Sequence, residues 1–456
     1  MDKKAMMEAL AEKAYEKGGF NGTWLYAENG EIVSKGALGW RDAEDTLPMQ
    51  EDTIFEMASI TKMFTATAVM LLVREGKLGL DEALTEIFPE YPYPGVTIRH
   101  LLTHTSGIPD FDVEELVTEV REQQGQIPAN GSVFHAICAR REAPRRAPGE
   151  EFCYSDIGYT MLAHTVETVS GMPFEAFVQK HIFAPAGMKD SGIYHTRRDG
   201  RPSDRFARNM VLENGAFVPS ERSRFADYVV GSDGLNGCDY LYTTIFDMLA
   251  WDKALREETV LTAKEQETMY ALYRLNNGEI AGADEDDDGY AFGWAVANEP
   301  ENGFIVRHSG GMPGLETWFE RFVDKNRVLV VLDCRDYADA RAFNGLFAGF
   351  EAIARDKAPE PIQTIEDLAI ENPDKSKWES FCGKYEHPEE ADFIIDEVYM
   401  KDGELFANAI DDEGDDLTFR LYPIGENTFG RKGGMLRVSF GENCLTFDEQ
   451  TFNKLS

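Results

Sequence analysis

A serine and a lysine stand three residues apart in Phe55-Glu56-Met57-Ala58-Ser59-Ile60-Thr61-Lys62-Met63-Phe64. Apolar residues follow at Met63, Phe64, Ala66, Ala68, Val69, Leu71 and Leu72, with neither Pro nor Gly before Gly76. The pattern predicts a largely buried helix over 59–75. On a helix, positions i and i+3 share a face, so Lys62 Nζ reaches Ser59 Oγ. A serine hydroxyl is a poor nucleophile until a neighbouring base takes its proton. A lysine kept neutral by burial can be that base. The plainer alternative is a helix-capping serine with a solvated lysine one turn on. The S-x-x-K spacing alone does not decide between them, although Ser59 is the only serine here with a lysine three residues later.

Two further stretches complete a candidate set. Tyr154, in Phe152-Cys153-Tyr154-Ser155-Asp156, offers a phenol that can act as base and acid, as phenolate or by relaying a proton through Lys62. His308-Ser309-Gly310-Gly311 brings small residues to a strand edge, where an acyl group can lie close. The backbone N–H groups of Gly311 and Ser59 would then form an oxyanion hole. None of this needs a metal or a cofactor.

Other chemistries are less well supported. His100 and His104 have i, i+4 spacing, but no glutamate lies between them and no third ligand is evident, so a structural helix end before Gly107 is favoured. Asp284-Glu285-Asp286-Asp287-Asp288-Gly289 opens like a calcium loop, yet Ala295 stands where a bidentate glutamate is required, which leaves a solvated acidic turn. Arg140, Arg141, Arg145 and Arg146 read as a surface loop balancing nearby acids. The glycines of Gly231–Gly237 are too irregular for a phosphate loop. No G-x-S-x-G occurs, which argues against an α/β-hydrolase.

The elements that must position the candidate residues follow in order. Residues 5–17 read as a helix. Trp24–Ala27 and Ile32–Lys35 form a hairpin about Asn29-Gly30. Residues 111–180 are mostly helical, broken by a loop at 143–150, and 190–230 are a polar, aperiodic excursion. A helix begins at Ile245, and strands are expected at 291–297, 304–307, 318–322 and 328–332, with a turn at His308–Gly314 and a helix over 337–356. This is an α+β layer: an antiparallel sheet flanked by helices, beside an all-helical region. A linker spans 358–375. From Trp378, short alternating runs are separated by turns such as Lys401-Asp402-Gly403 and Asp412-Glu413-Gly414, which predicts a small all-β barrel-like domain. The expected domains are therefore 1–357 and 376–456.

Composition narrows the partners. A net charge of −37 over 456 residues repels nucleic acid and anionic membranes. No signal-peptide core and no 18-residue apolar span is present, so a cytoplasmic location is expected. The six scattered cysteines, without C-x-x-C, read as thiols.

Taken in order, the three motifs resemble those of the serine β-lactamase and penicillin-binding-protein superfamily, most closely its class C β-lactamase and esterase branch. The likeness extends to Gly36–Asp42, His100–Pro109, Pro148-Gly149, Gly234-Leu235 with Asp247-Met248, and Gly293-Trp294, and spans roughly residues 10–355. It implies Ser59 as the acylated nucleophile, Lys62 as proton acceptor, Tyr154 as base or relay and Gly311 as the second oxyanion donor. Asp156, His308, Ser309 and Gly310 are implied to face substrate. His308 stands where β-lactamases of the branch carry lysine, and histidine there is familiar in esterase and peptidase relatives. Asp156 replaces the family's usual asparagine; an ionised carboxylate only accepts hydrogen bonds, so it would hold Lys62 charged or select a donor or a cation. The C-terminal strands resemble the lipocalin-like appendages of some peptidase relatives and offer a lid or dimer contact, which leaves a homo-oligomer open. The expected activity is a serine hydrolase working through acyl-Ser59 on small ester or amide substrates, including esterase, D-aminopeptidase-like or acyl-transfer chemistry. The competing expectation is a catalytically weak ligand-binding or sensory module on the same scaffold.

Overall fold

The computed structural model describes residues 2–109, 111–213, 215–386, 393–410, 416–447 and 450–455. The turn expected at Asp412-Glu413-Gly414 lies outside these residues. The chain divides into two compact units: Met1–Glu8, Asn21–Asp336 and Ala354–Asp356 form one, and Ala9–Phe20, Tyr337–Ile353 and Lys357–Ser456 the other.

In the first unit, Thr61–Arg74 is a helix whose residues Thr61 to Leu72 are all buried. A helix without a polar face belongs in a core. It packs on the helix Asp156–Ser170, which in turn receives Asn130–Arg140. Phe64 meets Trp251 at a ring separation of 4.9 Å and Phe183 edge-on at 5.5 Å. Beside this helical region lies a seven-stranded antiparallel sheet in the order Glu31–Leu38, Gly22–Glu28, Arg327–Asp333, Leu315–Phe322, Gly303–Met312, Ala295–Glu299, Gly289–Tyr290. Its first hairpin turns on Asn29 (φ 53°) and Gly30 (φ 81°), the left-handed pair that a two-residue hairpin needs. The helix Ile245–Arg256 packs on the central strands. The α+β expectation is met.

Three local expectations are corrected. His308–Gly311 is not a turn: the strand Gly303–Met312 runs through it, paired residue for residue with Leu315–Phe322, and the chain turns at Pro313-Gly314. Gly310 does not break the strand, because it lets the strand lie against the backbone of Met57. The excursion at 190–230 is ordered into short elements, with Gly192–Ile193 paired to Leu241–Thr243 and Met210–Glu213 to Ala216–Pro219. The stretch read as linker carries a helical turn, Ile365–Leu368, capped by Thr364 and Asp367.

In the second unit, eight strands from Gly383–Glu386 to Gln450–Lys454 each pair with the next, and the last pairs with the first to close a barrel. Ile395, Leu405, Phe429, Val438, Phe440 and Phe452 fill its interior. Among the described residues no helix is long and apolar enough to cross a membrane, and none of the six cysteines is in a disulfide.

Candidate active site

Ser59 sits in a single 3-10 turn, Ala58–Ile60, just ahead of the buried helix. It does not cap that helix. Ala58, at φ +44°, forces the chain through a left-handed bend immediately before the serine, a conformation that costs a non-glycine residue about 1–2 kcal/mol. Surrounding contacts hold the bend: Met57 N–H donates to Leu241 O at 2.8 Å, and Thr317 Oγ1 donates to Met57 O at 3.0 Å. The strand Gly303–Met312 runs beside this turn. A Cβ at Gly310 would come within 2.2 Å of Met57 O, so only glycine fits there.

Lys62 is fully buried. Its ammonium donates to Ser59 Oγ at 2.8 Å, Asp156 Oδ1 at 2.6 Å and Cys238 O at 3.3 Å. Burial alone would lower the lysine's pKa, but the charge of Asp156, helped by Tyr154 and Asp239, holds it well above its ordinary value. Asp156 is the first residue of the helix Asp156–Ser170, and Ser155 caps that helix by accepting from Gly158 N–H at 3.1 Å. A carboxylate in a first helical turn also faces the positive end of the helix dipole.

Tyr154 lies over the lysine, its ring centroid 4.9 Å from Nζ. The ring is 40% exposed, while its hydroxyl end faces Lys62 and Ser59. Burial of that end raises the phenol above its ordinary pKa, against the pull of Lys62. His104 supports the ring from behind, stacked at 4.2 Å. His104 Nδ1 also accepts from Ser155 N–H at 3.0 Å, and its carbonyl accepts from Cys153 N–H at 2.8 Å. The His100 ring is spent elsewhere, on Thr97 and on Tyr273 at 3.2 Å, so the two histidines do not act as a pair.

On the strand side, Ser309 and Gly311 alternate as exposed residues with buried His308 and Gly310. His308 Nδ1–H donates to Ser309 O at 2.5 Å, and Tyr290 O–H donates to Nε2 at 2.8 Å. Burial, with Lys62 adding, pushes the imidazole down to about 4, so it is uncharged at neutral pH. Glu316 pairs with Gly311 across the ladder, and burial lifts its carboxyl to about 7, with Asp333 and Asp336 adding.

The structure thus gathers Ser59, Lys62, Tyr154 and Asp156 around one ammonium, with His308 6.3 Å from Tyr154 ring to ring. Asp239, Tyr290, Glu316 and the orienting role of His104 have no counterpart in the sequence reading. A histidine spaced like a metal ligand drew attention to His104 for the wrong reason. The acidic turn at Asp284 is self-satisfied: its carboxylate accepts from Asp286 and Asp287 N–H, and Asp287 pairs with Arg307 at 3.0 Å. Arg140 is neutralised by Glu115, Glu119 and Glu142.

The sequence profile of the beta-lactamase family matches residues 7–348. The chain belongs to the beta-lactamase family. Penicillin-binding protein 4* of Bacillus subtilis (strain 168) is 33% identical over 337 residues, covering 74% of this chain and 72% of that protein. Esterase EstB of Burkholderia gladioli is 30% identical over 344 residues, covering 68% and 83%. The solved octameric penicillin-binding protein homologue from Pyrococcus abyssi superposes with a TM-score of 0.66 at 22% identity, covering 99% of each chain, and so shares the fold through the barrel. The protein is a serine hydrolase of the beta-lactamase fold.

Proposed function

We propose that this beta-lactamase family member cleaves esters or small amides through an acyl intermediate on Ser59. The observation that carries the reading is the 2.8 Å hydrogen bond from a fully buried Lys62 to Ser59 Oγ. Lys62 becomes a base by handing one proton to Asp156 across their 2.6 Å contact. Lys62 is fully buried, so the transfer removes an ammonium from a site that solvates charge poorly. Ser59 Oγ then attacks the carbonyl as its proton passes to Lys62. The oxyanion is held by the backbone N–H groups of Ser59 and Gly311. Tyr154 relays the proton from Lys62 to the leaving group, and later takes one from the water that releases the acyl group as it hands its own back to the now neutral Lys62. Asp156, His308, Ser309 and Gly310 border the substrate. The likeness to an esterase supports ester substrates, and the octameric homologue supports a homo-oligomer.

Intact-protein mass spectrometry after exposure to 4-nitrophenyl esters, D-amino-acid amides and β-lactams tests this. The wild type gains one acyl mass at Ser59, and Ser59→Ala gains none. Equal turnover by both proteins with no adduct would sink the proposal. One observation favours the second reading, a ligand-binding module with little turnover: the Asp156 carboxylate holds Lys62 as an ammonium. That reading predicts ligand binding without an acyl-enzyme burst.

A further inference from the structure

The segment Gly237-Cys238-Asp239-Tyr240 closes one wall around Lys62, and its backbone is bent into the left-handed region at both ends. Gly237 has φ +97°, and Tyr240, a bulky residue, has φ +74°. A Cβ on Gly237 would sit 2.5 Å from Tyr159 O. Tyr240 is anchored by its hydroxyl, which donates to Ser232 Oγ at 2.7 Å. Such conformations persist only where the surroundings enforce them, and they gather at functional sites. Here the bend delivers two things to Lys62. Cys238 O accepts its third N–H at 3.3 Å. Asp239 brings a carboxylate whose oxygen, an oxygen of Asp156 and Cys238 Sγ all lie within 4.8 Å of one another. Asp239 is only 7% exposed, and it acts on the lysine through charge.

We propose that Asp239 is a positioning residue for the charge of Lys62: a second carboxylate that, when ionised, holds the lysine as ammonium and restrains Ser59. The inference rests on the acyl-Ser59 reading above. Lys62 must lose a proton before it can take one from Ser59. With Asp156 alone, that loss gives up one ion pair. With Asp239 ionised as well, the ammonium is stabilised by two carboxylates and gives up its proton less readily. The groups that face Asp239 are Lys62, Asp156, Cys238, Glu56, Tyr228 and Tyr240. The charge of Glu56 is already matched by Arg197 at 2.8 Å. Burial lifts Asp239 to about 7, with Lys62 opposing and Asp156 and Glu56 adding. The restraint therefore tightens as pH rises through neutrality.

The test is the rate at which a fluorophosphonate labels Ser59, read by intact mass, from about pH 5.5 to about pH 8.5. Wild type, Asp239→Asn and Asp239→Gly are compared after circular dichroism has verified folding. Glycine also removes the carboxylate and carries the test if the asparagine variant does not fold. The neutral variants should match wild type at the acidic end, where Asp239 is already protonated, and react about tenfold faster at the alkaline end. A variant-to-wild-type ratio that does not change with pH, or variants slower above neutrality, would overturn the proposal. That outcome, with wild-type Ser59 still labelled, leaves the acyl-Ser59 reading intact. Absence of any adduct on wild-type Ser59 removes both.

Discussion

Each N–H of Lys62 is committed: to Ser59, to Asp156 and to a backbone carbonyl. A lysine so held is an ammonium at rest, and its usefulness as a base depends on how easily it sheds a proton, to Asp156 in the wild type or to solvent once no counter-charge holds it. Asp156→Asn keeps a side-chain acceptor and removes the charge. The acylation rate near neutral pH should therefore rise, by about tenfold. Folding stability should fall by roughly 1–3 kcal/mol, because a buried ammonium loses its counter-charge. Stopped-flow ester cleavage and urea denaturation check the two halves, and a variant no faster than wild type would show that Asp156 does not suppress Lys62. Ser59 and Lys62 were legible in the sequence because three-residue spacing shares a face in the 3-10 turn that leads into the helix, as it does on the helix expected there. Asp156 was legible because it neighbours Tyr154. Asp239 was not, since what brings it to Lys62 is a strained backbone, and no residue pattern signals a left-handed tyrosine.

At the scale of elements, the site depends on how closely one strand approaches the Ser59 turn. Gly310 and Gly311 are adjacent in sequence but unlike in their surroundings. A Cβ on Gly310 would meet Met57 O at 2.2 Å and Thr317 Oγ1 at 2.5 Å, whereas at Gly311 the nearest atom lies at 3.5 Å. Gly310→Ala must push the strand off the turn, so it should cost about 1–3 kcal/mol of stability and roughly 100-fold or more in acylation rate, since a displacement near 1 Å suffices for that. Gly311→Ala keeps its N–H and its space, and should stay within about 0.5 kcal/mol of wild type. Thermal unfolding and nitrophenyl-ester kinetics on the pair measure the contrast, and equal behaviour would show that the close approach is not needed. The same glycines explain why this strand was read as a turn: glycine marks either a bend or a close approach, and composition does not tell them apart. The hairpin at Asn29-Gly30 raised no such ambiguity, because alternating β-formers flank it.

For the whole molecule, the eight-stranded barrel was legible from short alternating runs and regular turns. The company that Ala9–Phe20 and Tyr337–Ile353 keep was not, because an amphipathic helix declares an apolar face but not its partner. Charge has a further consequence. The net charge of −37 makes the chain self-repelling, and four carboxyls, Asp233, Asp239, Glu316 and Asp333, are each lifted to about 7 chiefly by burial. Their folded values lie above the unfolded value of about 4. Between these values the folded state binds more protons than the unfolded one, so each group adds stability below that window and withdraws it as pH rises. The slope is about 1.4 kcal/mol per pH unit for each group that fully changes state. Glu265 and Asp367 run the other way, each pulled down to about 2, chiefly by hydrogen bonds to Arg74 and Lys17, but they act only at acid pH. The urea midpoint of the unit holding Asn21–Asp336 should therefore fall from about pH 5.5 to about pH 8, and added salt should restore part of the loss by screening the self-repulsion. The barrel contains none of the four groups, and the midpoint followed through Trp378 should move less. A midpoint that is flat or rising over the same range would mean that these carboxyls ionise in the folded protein as freely as in the unfolded chain.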